Sequence, residues 1–223
     1  CPVFFGSAEH GNGVSRLLKA LRHEVPEVDQ LAERLLGSQK RDALQGIKTL
    51  HTQHGGKLSI VRVLQGQVSD GDSLFRNGGE EVKVSGLASV FGQQVNKVAT
   101  AGKGDLVALG RLDDVGTGDL LTREAGDLKS LYAPEPRSPV LATAIAAAQR
   151  KDEVRLSAAL SKLAEEDPSL TISQNQITAE TLLAGQGEMH LRVAQERLAG
   201  KYGLDISAHT PHVPYSETIR AGT

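Results

Sequence analysis

The sequence contains no tryptophan and only one cysteine, and aromatic residues make up 3% of its 223 positions. The lone cysteine, Cys1, cannot form a disulfide within the chain, so a disulfide framework is excluded and a reducing compartment, the cytoplasm, is the expected location. No apolar run approaches the ~20 residues that a membrane-spanning helix requires. The sequence therefore predicts neither a small disulfide-stapled scaffold nor a helical membrane protein.

An excess of positive charge is also lacking. The chain has 25 Lys and Arg against 27 Asp and Glu, which gives a formal net charge of −2. Nonspecific attachment to nucleic acid is therefore not expected, and any contact with RNA must come from a local cluster of cations. The apolar fraction of 39% is ordinary for a globular protein, and the length is sufficient for two small domains.

Residues 1–39 have the pattern of the end of a domain. Residues 3–5 predict a short buried strand, and because the sequence opens there without a Met, we expect both ends to lie inside a longer protein. Pro26 separates two predicted helices, of which the second has the weaker pattern. The first is predicted because its apolar residues follow a 3.6-residue period: Val14, Leu17, Leu18 and Leu21.

Residues 40–132 predict a β-barrel. Short β-rich runs, of which residues 58–64 and 106–109 are the clearest, alternate with glycine-bearing turns. Asn77-Gly78-Gly79 predicts a tight hairpin, because Asn and Gly tolerate the positive φ that such a turn requires. Many short strands without a long helix favour a closed barrel, which leaves no exposed edge strand.

Residues 133–209 predict a domain of a different kind. A proline-rich connector over residues 133–139 comes first, since proline fixes φ and disfavours helix before it. The following runs predict, in order, a strand, a helix, two strands, a helix and a strand: residues 141–145, 152–166, 170–173, 180–184, 187–202 and 204–206. This β-α-β-β-α-β order is that of ferredoxin-like domains.

No nucleotide-hydrolysing motif is present. A phosphate-binding loop needs Ser or Thr after Gly-Lys, whereas Gly56-Lys57 is followed by Leu58. Asn96-Lys97 lacks the Asp of a guanine-reading motif, and the Asp-x-x-Gly pattern at residues 113–116 is too short to be specific. These residues are therefore predicted to contain no catalytic group.

No metal site is predicted either, because the histidines occur in sparse pairs. His209 and His212 lie on an extended tail without an evident third ligand, and His51 and His54 form a similar pair. The acidic residues 165–167 have the pattern of a solvated helix end rather than of an acid/base pair.

Three motifs in the second half of the chain carry a specific resemblance. They are Leu163-Ala164-Glu165-Glu166-Asp167-Pro168, Ala184-Gly185-Gln186-Gly187-Glu188-Met189-His190-Leu191 and Pro211-His212-Val213-Pro214-Tyr215-Ser216-Glu217-Thr218-Ile219. In this order and spacing they resemble elongation factor G and its relatives. Two earlier stretches resemble the second domain of the same family: residues 58–66, and residues 104–120 with the loop Thr117-Gly118-Asp119. Residues 2–8 resemble the end of its GTPase domain. Departures from the family pattern favour a divergent paralogue: Ala184, Gln186, Met189 and Ser216.

The resemblance implies four parts of a GTP-dependent translation factor. These are the end of the GTPase domain (1–39), the β-barrel domain II (40–132), the ferredoxin-like domain III (133–209) and the start of domain IV (210–223). It implies that the whole protein binds GTP and Mg²⁺ and acts on the ribosome, in translocation or remodelling, whereas this stretch needs no cofactor. The implied partners are the small ribosomal subunit and its RNA, without DNA or membrane.

The implied site residues form two groups. Gly6, Ser7 and Ala8 would contact one edge of the guanine base. Contacts with the ribosome are expected from cations on the barrel and from the turn before the last helix: Arg62, Arg76, Lys83, Lys97, Lys103, Gly187, Glu188 and His190.

Other interpretations remain open at this point. Within the family, the chain is also compatible with a ribosomal protection factor or another specialised paralogue. Outside it, an RNA- or protein-binding module unrelated to translation would share the same folds. A metal- or carboxylate-dependent enzyme built on the ferredoxin-like part is a third alternative, although no convergent catalytic set supports it.

Overall fold

A computed structural model describes residues 2–36, 41–52, 56–92, 94–110, 112, 114–126, 135–213 and 215. The N-terminal part contains two helices, α1 (Val14–Glu24) and α2 (Val28–Leu36). Both predicted helices are therefore confirmed, with the break at Pro26. Within the described ranges, no helix is both long and apolar enough to cross a membrane.

The strand predicted for residues 3–5 is not formed. A strand needs a neighbouring backbone for its hydrogen bonds, and no described strand lies beside this segment. Phe5 is accordingly 89% exposed. The apolar face of α1 is uncovered as well, since none of its residues is buried.

The second part is a β-barrel, as the spacing predicts, and its described residues form ten antiparallel strands. The strands are β1 (Ala43–Thr52), β2 (Gly56–Gln65), β3 (Gln67–Ser69), β4 (Ser73–Arg76), β5 (Glu80–Lys83), β6 (Ser85–Phe91), β7 (Gln94–Lys97), β8 (Thr100–Gly102), β9 (Leu106–Gly110) and β10 (Leu120–Thr122). Eight of them pair in the order β5-β4-β10-β1-β2-β9-β6-β7, and β3 pairs with β8. Side chains from nine strands fill one core, among them Leu44, Val61, Leu74, Leu109 and Leu121.

A loop around Asp119, just before β10, is held between β1 and the β4–β5 hairpin. The β4–β5 hairpin has Asn77 at φ 48° and Gly78 at φ 78°, which confirms the predicted turn. Asn77 donates from its side-chain amide to Asp119 at 2.8 Å and accepts from the Leu120 N–H at 2.9 Å. Gly46 in β1 exchanges two 2.8 Å backbone hydrogen bonds with Asp119 and Gly118, and a Cβ at Gly46 would lie 2.4 Å from the Gly116 carbonyl oxygen. Glycine is therefore required at position 46 for this close approach.

The third part has the predicted ferredoxin-like order. Its elements are β11 (Leu141–Ala147), a short 3₁₀ turn (Arg150–Asp152), α3 (Glu153–Glu166), β12 (Thr171–Gln174), β13 (Thr181–Gly185), α4 (Glu188–Tyr202) and β14 (Ile206–His209). The antiparallel sheet has the order β12-β13-β11-β14. Both helices pack on one face of it, with Ile145, Leu160, Leu183 and Leu198 in the shared core.

The last strand begins later than predicted, at Ile206 instead of Leu204. Gly203 ends α4 in the left-handed conformation, φ 60°. The N–H of Leu204 donates to the Leu198 carbonyl at 3.1 Å and so completes the helix cap. Leu204 is also buried in the core, so its backbone and side chain both belong to the helix end.

The connector between the two domains is described from Glu135 onward, where residues 135–140 form no helix or strand. The first two residues of the predicted connector, 133 and 134, lie outside the described residues. Gln186 holds the described part in place, because its side-chain amide donates to the carbonyls of Arg137 and Ser138 at 3.1 and 3.0 Å.

Candidate functional site

The turn between β13 and α4 is built around two glycines. Gly187 has φ 154° and ψ 179°, a conformation that only glycine adopts without strain, and it places the backbone at the start of α4. A Cβ at Gly185 would lie 2.7 Å from Nδ1 of His190, so glycine is also required there for the imidazole to fold back on the turn.

The hydrogen bonds of His190 define its tautomer. Its Nδ1 accepts from the Gln186 N–H at 3.0 Å, so the ring proton lies on Nε2, which donates to Asp167 at 3.0 Å. Burial raises the pKa of Asp167, but hydrogen bonds from Ser169 and His190 outweigh it and hold the pKa below its ordinary value. His190 therefore links the end of α3 to the start of α4.

The predicted contact residues at this turn are only partly available to a partner. Glu188 and Met189 are exposed on the first turn of α4, and the backbone of Gly187 is half-buried. His190, by contrast, has both ring nitrogens engaged inside the domain. At this turn, the Gly187 backbone and the Glu188 carboxylate are thus accessible to a partner, while the His190 imidazole stabilises the turn from inside the domain.

The end of α3 joins the third part to the barrel. The prediction of a solvated helix end at residues 165–167 is wrong for Glu166, whereas Glu165 is exposed. Glu166 is only 6% exposed, and its Oε1 accepts from the His51 N–H at 2.6 Å and from Lys201 Nζ at 2.5 Å. Glu165 accepts from the His51 ring at 3.0 Å and pairs with Lys57 at 3.2 Å. We call this set, Glu165, Glu166, His51, Lys57 and Lys201, the domain joint.

The electrostatics of the domain joint favour an ionised Glu165. Burial raises the pKa of Glu165, but the hydrogen bonds from His51 and Lys57 outweigh it, so the pKa is lowered from its ordinary value. Lys57 is 8% exposed, and a cation at that depth requires such a partner. Sequence reasoning missed Lys57 and His51 because their partner, Glu165, lies more than a hundred residues away, and no local pattern points to it.

The expectation that His209 and His212 have no nearby third ligand is wrong, because the carboxylate of Glu180 lies beside them. Glu180 Oε1 is 2.9 Å from His209 Nε2 and in contact with His212 Nδ1. Hydrogen bonds from His212 and His209 lower the pKa of Glu180 to about 2. His51 has its own partner in the domain joint, and His54 lies outside the described residues.

The predicted cations of the barrel lie on different strands and turns, and the structure pairs some of them. Arg76 forms an ion pair with Glu80 at 3.2 Å, and Lys103 pairs with Asp29. Arg62, in β2, is half-buried, and its Nε has no hydrogen-bond partner among the described residues. Lys83 and Lys97 are exposed, and within the ranges that the structure covers neither forms an ion pair. These two are the cations most available to an anionic partner.

The predicted base-contacting turn lies in the N-terminal part. Ser7 donates its N–H to the Asn12 carbonyl at 2.9 Å, which folds residues 7–12 into a loop. Gly6, Ser7 and Ala8 line a hollow of ≈ 240 Å³ together with Phe4, Phe5 and Leu17. No Gly-Lys-Ser/Thr phosphate-binding loop lies beside this hollow in the described residues.

Comparison with known proteins decides the family. The model of elongation factor G domain 2 matches residues 47–124, and the model of elongation factor G domain III matches residues 136–210. An elongation factor G-like protein from Synechocystis is 45% identical over 225 residues, which cover 100% of this chain and 32% of the relative. The chain belongs to the elongation factor G family.

Further relatives agree with this family assignment. Elongation factor G 1 of Desulfotalea psychrophila is 31% identical, over 98% of this chain and 33% of its own length. The crystal structure of a protein from Thermus thermophilus superimposes with a TM-score of 0.76 and 29% identity, over 92% of this chain and 30% of that one. The chain thus spans about a third of the length of these proteins, and the barrel and the ferredoxin-like part are its elongation factor G domains 2 and 3.

Proposed function

We propose that this chain is the ribosome-contacting middle part of a GTP-dependent translation factor, in which domain 2 binds the small subunit and domain 3 relays the nucleotide state. The observation that carries the proposal is the identity of 45% along the whole chain to an elongation factor G-like protein. The step that the parent protein serves would be translocation or ribosome remodelling. The lower identity of 31% to an elongation factor G 1 supports a specialised paralogue.

The domain joint supports a relay role for domain 3. It connects β1 of the barrel to the end of α3 and, through Lys201, to the end of α4. The His190–Asp167 bond then connects the end of α3 to the start of α4. A displacement of the turn at Gly187 would therefore reach the barrel through the His190–Asp167 bond, the chain step from Asp167 to Glu166 and the bond from the His51 N–H to Glu166.

GTP and Mg²⁺ belong, in this proposal, to the whole factor. Gly6, Ser7 and Ala8 would supply one edge of the guanine pocket, and the base would lie at the hollow of ≈ 240 Å³ that they line. The phosphates and Mg²⁺ would be held by residues outside this chain, since no Gly-Lys-Ser/Thr loop occurs in it. This chain would then position the base edge and transmit the state of the site without carrying out hydrolysis.

Cosedimentation with small ribosomal subunits across a salt series tests the proposed contact. Each phosphate contact releases counterions, so the logarithm of the binding constant should fall by roughly one unit per contact for each tenfold rise in salt. The double variants Lys83→Glu/Lys97→Glu and Arg62→Glu/Lys83→Glu should weaken binding and flatten this slope. The first pair uses the exposed cations, and the second tests the half-buried Arg62.

The matched control is Lys19→Glu/Arg22→Glu, which changes the net charge equally but lies on α1, away from the barrel. We expect it to bind nearly as the unmodified chain does. Binding that is independent of salt and of both barrel variants would remove the barrel contact from the proposal and leave domain 3 as the contacting part.

A further inference from the structure

We propose that Glu180, His209 and His212 form a binding site for one divalent transition-metal ion of the Zn²⁺ class, at the point where the chain leaves domain 3. The site shares no residue with the proposed ribosome contacts or with the domain joint. Three protein ligands from two distant segments would hold the ion, and water would complete its coordination.

The sheet register brings two of the ligands, His209 and Glu180, together over Ala144. His209 in β14 pairs with Ala144 of β11, and Thr181 in β13 pairs with Ile145 of the same strand. Side chains alternate between the two faces of a strand, so His209 and Glu180 both lie on the face of Ala144, opposite the helices. Alanine at position 144 of the intervening strand leaves room for the two longer side chains to meet above it.

The ligand atoms converge at metal-binding spacing. One ligand atom from each of the three residues lies within 4.8 Å of the other two. Ligands at ~2.0–2.1 Å around a tetrahedral ion lie about 3.3 Å apart, so the 2.9 Å between Glu180 Oε1 and His209 Nε2 needs only a small adjustment. The two imidazoles are tilted by 59° with centroids 5.2 Å apart, which directs both rings toward one carboxylate instead of stacking them.

Further hydrogen bonds fix the carboxylate. The Oε2 atom of Glu180 accepts from the Thr178 hydroxyl at 2.8 Å and from the His212 N–H at 3.1 Å. This leaves Oε1 directed at the imidazole nitrogens, and such supporting bonds orient ligands in metal sites. The side chains of His209 and His212 are 46% and 72% exposed, so an ion and its water ligands can enter from solvent.

The ligand chemistry selects the metal. Two imidazole nitrogens and one carboxylate suit Zn²⁺, Co²⁺, Ni²⁺ or Cu²⁺, whereas Mg²⁺ and Ca²⁺ require predominantly oxygen ligands. Three protein ligands with open positions match sites that retain water. Because His212 lies beyond the last strand, a bound ion would fasten residues 210–213 to the sheet.

Calorimetric titration of the chelator-treated chain with ZnCl₂ tests the site. We expect one ion per chain, and at least about a tenfold loss of affinity in each of His209→Ala, His212→Ala and Glu180→Gln. His23→Ala is the matched control, since it removes an exposed histidine on α1 and should leave the affinity unchanged. MgCl₂ should give no saturable binding.

Two readouts separate a metal site from a hydrogen-bonded cluster. Co²⁺ should produce a visible absorption spectrum that Glu180→Gln alters, and Zn²⁺ should slow hydrogen exchange of the His212 amide in the unmodified chain only. Circular dichroism of each variant checks that it is folded. Zn²⁺ binding that is absent, or equal in His209→Ala, His212→Ala and His23→Ala, would overturn the proposal.

Discussion

Removal of the buried Glu166 carboxylate should destabilise the protein more than removal of an exposed carboxylate does. In Glu166→Ala, the His51 N–H loses its acceptor at 2.6 Å and Lys201 Nζ loses its acceptor at 2.5 Å. Glu166 is 6% exposed, so water does not readily replace it. The two lost partners belong to different domains, and the change therefore acts on each domain and on their contact.

The loss in free energy of unfolding depends on whether each group that loses its acceptor can reach water. An unsatisfied buried N–H costs about 1–3 kcal/mol, and this applies to His51. Lys201 can turn toward water because its side chain is 24% exposed, so the full cost of about 3–5 kcal/mol for breaking a buried ion pair does not apply. We expect Glu166→Ala to lower the free energy of unfolding by about 2–3 kcal/mol.

Urea unfolding followed by far-UV circular dichroism measures this loss, because the two helices of domain 3 contribute to the signal. Glu166→Gln keeps a carbonyl acceptor for the His51 N–H and should cost less, about 1 kcal/mol. Glu196→Ala is the control, since its exposed i,i+4 pair with Arg192 is worth at most about 0.5 kcal/mol. A Glu166→Ala protein as stable as Glu196→Ala would refute the reasoning and show that water reaches the joint.

Three further predictions concern other parts of the chain. Gly187→Ala should destabilise domain 3 by about 1–3 kcal/mol, because alanine is strained at the φ of 154° that Gly187 adopts. Gly200→Ala, within α4 and free of steric contact, should instead stabilise domain 3 by about 0.5–1 kcal/mol. Thermal unfolding distinguishes the two variants, and equal effects would contradict the backbone strain at Gly187. The lowered pKa of Glu165 means that its contribution to stability is present above its ordinary pKa of 4.5 and is lost as the pH falls through the lower folded value. Acid unfolding should therefore depend less on pH in Glu165→Gln, and an unchanged profile would exclude this residue. Calorimetry with GTP and Mg²⁺ should show no micromolar binding, because Gly6, Ser7 and Ala8 provide no phosphate site; saturable binding would mean that a phosphate site was overlooked.

Features fixed by local chemistry could be predicted from the sequence. The 3.6-residue period of α1 and the positive φ at Asn77 and Gly78 depend only on neighbouring residues. The ferredoxin-like order likewise follows from alternating strand and helix patterns between residues 141 and 209. The strand expected at residues 3–5 failed for the complementary reason, since strand formation depends on a partner that local sequence does not contain.

Contacts between distant segments could not be predicted in this way. Residues 165–167 were expected to be solvated because three acids in succession usually are, yet Glu166 meets His51 across 115 positions of sequence. Glu180 was missed as a partner of His209 for the same reason, because only the pairing of β11 with both β13 and β14 brings them to one face. The register of the sheet, and not the composition, creates that site.

The chemistry of the domain joint bears on how domain 3 could transmit a signal. Each domain has its own apolar core, and the described contacts that the joint makes between them are charged hydrogen bonds. Polar contacts of this kind are directional and depend on the position of each donor and acceptor, unlike the contacts of a shared apolar core. In the described residues, Glu165 and Glu166 thus hold domain 3 on the barrel through His51 and Lys57, and a substitution that removes one of these partners should loosen the contact between the domains while each keeps its own core.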